Sequence, residues 1–281
     1  MYRSSVRVIA VSSPWDIIIL GCGRLGSNLK TALESEKLHV LGVRRRPVPG
    51  DPTFIALDLD LAQSWDQLAQ LTLTQRTVII ATVTPDARTE DAYRERYVGV
   101  SARLRQFQSL SGRRHPVIWV SSTAVFGQHQ VGNLDESVQP EPDHWRGHRL
   151  REAEQNIEQS NAPTTVVRLT GLYTAESLSR LKETEFRAQL NPESVSNRIH
   201  REDAVSWLSA LASSHLAGQR IPQLIHGVDE GSANYQQIFD RLDGLSSEVQ
   251  PAVAGRVLQT RYRDRMPALR YPSIDLVISS P

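Results

Sequence analysis

Short runs of consecutive apolar residues alternate with helical periods along most of this chain, beginning at Asp16. Asp16-Ile17-Ile18-Ile19-Leu20 predicts a first strand. The segment behind it places Leu25, Leu29, Ala32 and Leu33 on one helical face. Further strands are predicted at residues 38–43, 54–57, 77–83, 116–121 and 164–169, each nearly continuous in apolar character, as strands covered on both faces must be. Between the fourth and fifth, Tyr93, Tyr97, Val100, Leu104 and Phe107 recur at spacings of four, three, four and three, predicting a long helix whose stripe packs on the sheet. A polar, proline-bearing loop over 127–145 then leads to a helix carrying Leu150, Ala153 and Ile157 inward. A loop of that length usually serves a site.

This alternation predicts an α/β fold, a doubly wound parallel sheet of the Rossmann type, over residues 16–169. Residues 1–15 are expected to be a leader. Residues 170–281 are expected to form a smaller domain capping the sheet, with helical stretches near 175–190, 202–216 and 233–242, the second of which has the composition to pack back on the first domain.

Composition narrows the function. A chain of 281 residues with 40% apolar content needs no metal or disulfide to hold a core. Lys and Arg number 32 against 31 Asp and Glu, a net charge of +1, so no general attraction to nucleic acid or to an anionic membrane is expected. Cys22 is the only cysteine, which excludes an intrachain disulfide and agrees with a cytoplasmic address. No apolar run is long enough to span a membrane, and the eight histidines show no metal-ligand spacing, so a catalytic metal is not expected.

The strongest local signal is Gly21-Cys22-Gly23-Arg24-Leu25-Gly26, a G-x-G-x-x-G run that follows the first strand and opens the helix. Gly21 permits the tight turn, Gly23 admits a pyrophosphate to the backbone, and Gly26 lets helix and strand pack closely, with Arg24 and Leu25 at the helix start. An NAD-selective site carries a carboxylate at the end of the second strand. Here the chain reads Val43-Arg44-Arg45-Arg46, and guanidinium groups match the 2′-phosphate of NADP in charge and shape. NADP(H) is therefore expected, through Arg44 and Arg45, with NAD(H) as the alternative. Asp58 and Leu59 are positioned to meet the adenine, and Ala81, Thr82 and Val83 lie along the cofactor path.

Ser121-Ser122-Thr123-Ala124-Val125-Phe126-Gly127 closes the fifth strand. With the glycine run, Asp135-Glu136-Ser137, Arg168-Leu169-Thr170-Gly171-Leu172-Tyr173, the 197–203 segment and Leu269-Arg270-Tyr271-Pro272-Ser273, it resembles the extended short-chain dehydrogenase/reductases, in particular their atypical NAD-dependent epimerase/dehydratase-like branch. The resemblance implies that Ser122 holds a carbonyl or hydroxyl, that Ser121, Gly171 and Leu172 border the nicotinamide, and that Thr123 and Phe126 meet substrate. It also implies a Tyr and a Lys four residues later, but those positions hold Arg146 and Leu150. Arginine cannot shuttle a proton near neutral pH and leucine supplies no charge. Tyr173 and His148 are the substitute proton donors expected.

The implied function is an NADP(H)-dependent oxidoreductase, a reductase of a small polar or anionic substrate met by Arg146, Arg168 and Arg198. An Arg198–Asp203 pair is expected at the domain junction. Alternatives are a catalytically silent NADP-binding sensor or scaffold and a nucleotide-sugar epimerase. Sugar dehydration ranks low, because those enzymes place Asp-Glu where this chain has Thr123-Ala124. A homodimer is allowed by the resemblance.

Overall fold

The computed structural model describes residues 14–110, 112, 114–246 and 255–279. Most of the predicted leader lies outside the described residues, but Trp15 already belongs to the first strand.

The amino-terminal elements are β1 (Trp15–Leu20), α1 (Arg24–Ser35), β2 (Val40–Arg44), β3 (Phe54–Ala56), α2 (Ala62–Ala69) and β4 (Leu73–Ala81). Then come α3 (Glu90–Tyr93), α4 (Val100–Leu110), β5 (Val117–Ser122), β6 (Gly132–Leu134), α5 (Trp145–Glu158) and β7 (Thr164–Leu169). The remainder holds β8 (Gly171–Tyr173), α6 (Ala175–Ser179), α7 (Thr184–Arg187), β9 (Val195–Ser196), β10 (Arg198–His200) and α8 (Arg201–Leu216). β11 (Leu224–Gly227), β12 (Ala233–Asn234), α9 (Tyr235–Leu242), β13 (Arg256–Leu258) and α10 (Ile274–Ser279) complete it.

Seven strands form one parallel sheet in the order β11-β7-β5-β4-β1-β2-β3. The chain leaves β1 toward β2 on one side and returns to β4 on the other, so a crevice opens at the strand ends beside β1. One face of the sheet is covered by residues such as Trp65, Leu104, Phe107 and Ile157, the other by Leu29, Leu33, Trp207 and Leu211. Since both faces are dry, the strands read as the continuous apolar runs from which they were predicted.

Two features differ from the sequence expectation. β11, from beyond the division at residue 170, pairs with β7 as the seventh strand, whereas α8, the stretch expected to be able to pack back, lies beside α1, where Ser209 and Ser213 donate to Glu36 at 2.8 and 3.1 Å. And the predicted single helix over Tyr93–Phe107 is interrupted by a π-helical turn, Arg94–Gly99.

What remains after β7 is a smaller body around Tyr173, Leu178, Ile238, Phe239 and Ile274. The long loop over 127–145 is tied to the chain's end, since its β6 pairs with β13. Asp203 receives the backbone N–H groups of Arg270 and Tyr271 at 2.7 and 2.9 Å, while Arg198 bonds Ser196 and Tyr235. The expected Arg198–Asp203 pair is therefore replaced by a backbone clamp.

Asp229 is buried near this junction, and burial raises its carboxyl to about 8 against the pull of the Gly231 amide, Arg263 and Arg198. A folded-state value above the unfolded one means that the native state holds the proton longer, so this group's contribution is complete below the ordinary carboxylate range and is lost as pH rises toward 8. Asp229→Asn should flatten the fall in stability between pH 4 and pH 8, measured by urea unfolding across that range. An unchanged slope would remove Asp229 from the account.

Candidate functional site

The crevice beside β1 is a cleft of about 1300 Å³. Its floor is the glycine turn. Gly21 has φ +77°, and a Cβ there would come within 2.8 Å of the Val83 Cα, so both backbone freedom and space require glycine. A Cβ on Gly26 would lie 2.8 Å from the Thr82 hydroxyl, which itself donates to the Gly21 carbonyl at 3.0 Å. Gly23 is different: a Cβ there would meet only the Gly21 carbonyl oxygen, at 3.8 Å, and would occupy the open cleft itself. The first turn of α1 carries no acidic residue. Bare backbone, free helix amides and no competing carboxylate fit a pyrophosphate. Cys22, in the same turn, is a buried thiol whose pKa burial raises, which suits packing rather than reactivity.

On the β2–β3 side the wall is basic over an apolar floor, with Arg44, Arg45 and Arg46 above Leu57 and Leu59. Arg45 forms a two-pronged pair with Asp86 from the loop after β4, which holds the Asp86 carboxyl below the usual range. Arg96 is buried and pairs with Asp60 at 2.8 Å. Arg44 makes no hydrogen bond or ion pair among the described residues, so its guanidinium is available to a ligand. Asp58 lies 4.0 Å from Arg96 and does not line the cleft, whereas Leu59 does.

The β4–β5–β7 side is less charged. Thr82 and Val83 line it, together with Ser121, Ser122, Thr170, Leu172 and Arg201. Ala81 is fully buried in the sheet beneath. The Ser122 hydroxyl accepts the Ala124 N–H at 3.2 Å, capping a short turn, and its own O–H stays free to donate. Ser121 instead donates to Glu154 at 2.6 Å. Glu154, with no solvent exposure, also receives Arg168 Nε at 2.9 Å and Nη2 at 2.8 Å. That ion pair locks α5 to the ends of β5 and β7.

The pair corrects one expectation directly, since Arg168 is spent on Glu154 behind the wall and does not face substrate. Several other nominated residues also stand outside the cleft lining. Arg146 lies over the Trp145 ring, Phe126 is buried among Val125, Leu134 and Leu150, and Arg198 is held by Ser196 and Tyr235. Thr123 opens the turn that Ser122 caps, and Gly171 pairs with Arg198 in a small sheet. His148 is exposed on the first turn of α5, away from the cleft. Tyr173 has no solvent exposure, packs against His200 and has its phenol pKa raised by burial. Neither substitute proton donor is brought to the cleft.

The cleft also holds residues missed by the sequence reading, among them Asp86, Arg88, Arg96, Tyr97 and Arg201. Tyr97 sits in the π-helical turn, a device that recurs at functional sites because it swings one side chain out of helical register. It packs on the cluster that contains Val125 and Leu150, beside the turn capped by Ser122. Burial and Tyr93 raise its pKa, so the phenol stays protonated through the physiological range. Spacing could not reveal this, because Tyr97 also fits the apolar stripe.

Among the described residues no group of three or more His, Cys, Asp or Glu side chains could hold a metal, and no helix is long and apolar enough to cross a membrane.

The parallel sheet, its crossover at β1 and the glycine turn define a Rossmann-type α/β protein. Within that class the chain belongs to the RmlD substrate binding domain family, which matches residues 16–220. No curated protein matches it in sequence. Among solved structures it is similar to a Methylobacillus flagellatus protein assigned to the NAD-dependent epimerase/dehydratases, with 23% identity and a TM-score of 0.73 over 93% of this chain and 95% of that one. It is similar as well to MoeE5 in complex with UDP-glucose and NAD (19% identity, TM-score 0.71, 94% and 96% covered). WbmG of Bordetella bronchiseptica in complex with NAD and UDP gives 15% identity and a TM-score of 0.72, with 96% and 94% covered.

Proposed function

We propose that this chain is an NADP(H)-dependent oxidoreductase that acts as a reductase on a small polar substrate. The observation carrying it is the free guanidinium of Arg44 at the end of β2, where the cofactor's second ribose belongs and where an NAD-selective site needs a carboxylate. The glycine turn would hold the pyrophosphate, and Leu57 and Leu59 would floor the adenine side. Bound in its reduced form, the cofactor would supply a hydride on the β4–β5–β7 side. There Ser122 donates its free O–H to a substrate oxygen. Tyr97, kept neutral by burial, carries the proton that the oxygen acquires on reduction and regains it from water through the cleft. Burial keeps the resting phenol protonated, so it holds a proton to give and is no base, and the phenolate left after donation is quickly reprotonated because burial disfavours its charge.

Calorimetric titration with NADPH and NADH, beside Arg44→Ala, tests the cofactor assignment. One charge-assisted contact to a phosphate contributes ~1.5–3 kcal/mol, so the variant should lose about tenfold to hundredfold in NADPH affinity with NADH binding unchanged. Equal loss for both nucleotides, or none, would refute selection by Arg44. Asp86 competes for Arg45, so the contribution of Arg45 should be the smaller of the two.

A second reading, nucleotide-sugar epimerisation, is favoured by the UDP-glucose and UDP complexes of MoeE5 and WbmG. Isomerisation of a UDP-sugar with no net change in cofactor redox state would support it over reduction. The silent sensor or scaffold remains the reading to adopt if NADPH binds and a broad carbonyl and imine screen finds no turnover.

A further inference from the structure

Three arginines were nominated from the sequence to meet an anionic substrate, and none of them lines the cleft. Arg201, which was not nominated, does. We propose that Arg201 is the substrate-recognition residue of this cleft and that it selects a small organic carboxylate. The inference deepens the reductase reading and rests on it for the meaning of the β4–β5–β7 side as the reaction side.

The first support is the availability of the guanidinium. Among the described residues the Arg201 side chain makes no hydrogen bond or ion pair, although it stands next to two acids. Both acids are engaged elsewhere: Glu202 with the Arg270 guanidinium at 2.9 Å, and Asp203 with the backbone N–H groups of Arg270 and Tyr271. The same contacts hold the start of α8 in place, so the half-buried Arg201 is presented from a fixed framework rather than from a loose loop.

The second support is the polarity of the surrounding wall. Asp86 is the one acid lining the cleft among the described residues, and it is occupied by Arg45. Glu154 lies behind Ser121 with no exposure. The Thr170 and Ser121 hydroxyls are spent on the Gly227 carbonyl and on Glu154. Ser122 and Arg201 are donors without an ionised acceptor, beside the neutral phenol of Tyr97, in a cleft where Arg24, Arg44, Arg46 and Arg88 also make no ion pair among the described residues. A group with only acceptors and a full negative charge complements that set, and a planar carboxylate matches a guanidinium fork. An amine or ammonium substrate would find no charged partner there.

The test is calorimetric titration of succinate into the full chain, alone and saturated with NADP, for wild type, Arg201→Gln and Arg201→Lys, with succinamide and inorganic phosphate as comparison probes. Wild type should bind succinate and not its neutral isostere succinamide, Arg201→Gln should weaken succinate binding by about tenfold or more, and Arg201→Lys should retain part of it. NADPH affinity should stay within about twofold in both variants, which also shows that they fold. Loss of NADPH affinity in Arg201→Gln would make Arg201 a cofactor contact and overturn the inference, as would succinate binding that ignores the substitution, its absence from the wild type, or binding of phosphate alone. If wild type binds succinate through Arg201 but binds no nucleotide, the cofactor reading falls and the carboxylate site stands.

Discussion

Tyr97→Phe is expected to lower the turnover of any carbonyl that the wild type reduces by about 10²–10⁴-fold, the range over which a positioned proton donor contributes. NADPH affinity should not change, since the substitution removes one oxygen and leaves the ring packed on Val125 and Leu150. Burial keeps the phenol protonated, so the wild-type rate of reduction should show no loss of the donor between neutral and mildly alkaline pH. Single-turnover oxidation of bound NADPH separates the proton step from product release. A variant that keeps its rate within about twofold would return the proton to water or to substrate and leave Tyr97 as packing.

Glu154→Ala should cost the fold about 3–5 kcal/mol, because it leaves Arg168 buried with its charge uncompensated. Both partners are almost entirely shut from solvent, at 0% and 2%, and the carboxylate also orders Ser121 in the cleft wall. Urea unfolding measures the loss. Replacing the pair together, Glu154→Leu with Arg168→Met, should recover most of that stability, since two charges taken out of water return little net energy compared with good apolar packing. If the double variant is as unstable as the single one, the pair is doing more than cancelling its own desolvation.

The sheet was legible because its strands are buried on both faces. Ile17–Leu20 is an unbroken apolar run, and the predicted 164–169 strand, carried by Val166, Val167 and Leu169, coincides with β7. The glycine turn was equally plain, since Gly21 and Gly26 answer local demands of backbone angle or space, while Gly23 leaves the cleft open beside the backbone. Arg44 and Arg45 were found because they stand at a fixed distance from that turn, at the end of the neighbouring strand.

The other half of the cleft was legible only in part. Ser122 was found, since strand ends deliver residues to the crevice, but Arg168 was misassigned: it is on a strand too, yet its side chain points to the layer where α5 offers Glu154. Tyr173 looked available beside a turn and is sealed under the small carboxy-terminal body, which no local pattern announces. Tyr97 looked like core because its spacing is that of core.

By itself the sequence determined what depends on neighbours along the chain: the buried strands, the helix faces, the glycine turn and the basic end of β2. Only the tertiary structure decided which polar side chains face the cleft. That choice depends on partners far apart in sequence, such as Glu154 with Arg168, Asp86 with Arg45 and Asp203 with the chain near Arg270. A guanidinium already held by a carboxylate has little left for a ligand, so the cleft's unpaired ones, Arg44 and Arg201 with Arg24, Arg46 and Arg88, are told apart from Arg45 and Arg96 only after the long-range pairs have formed.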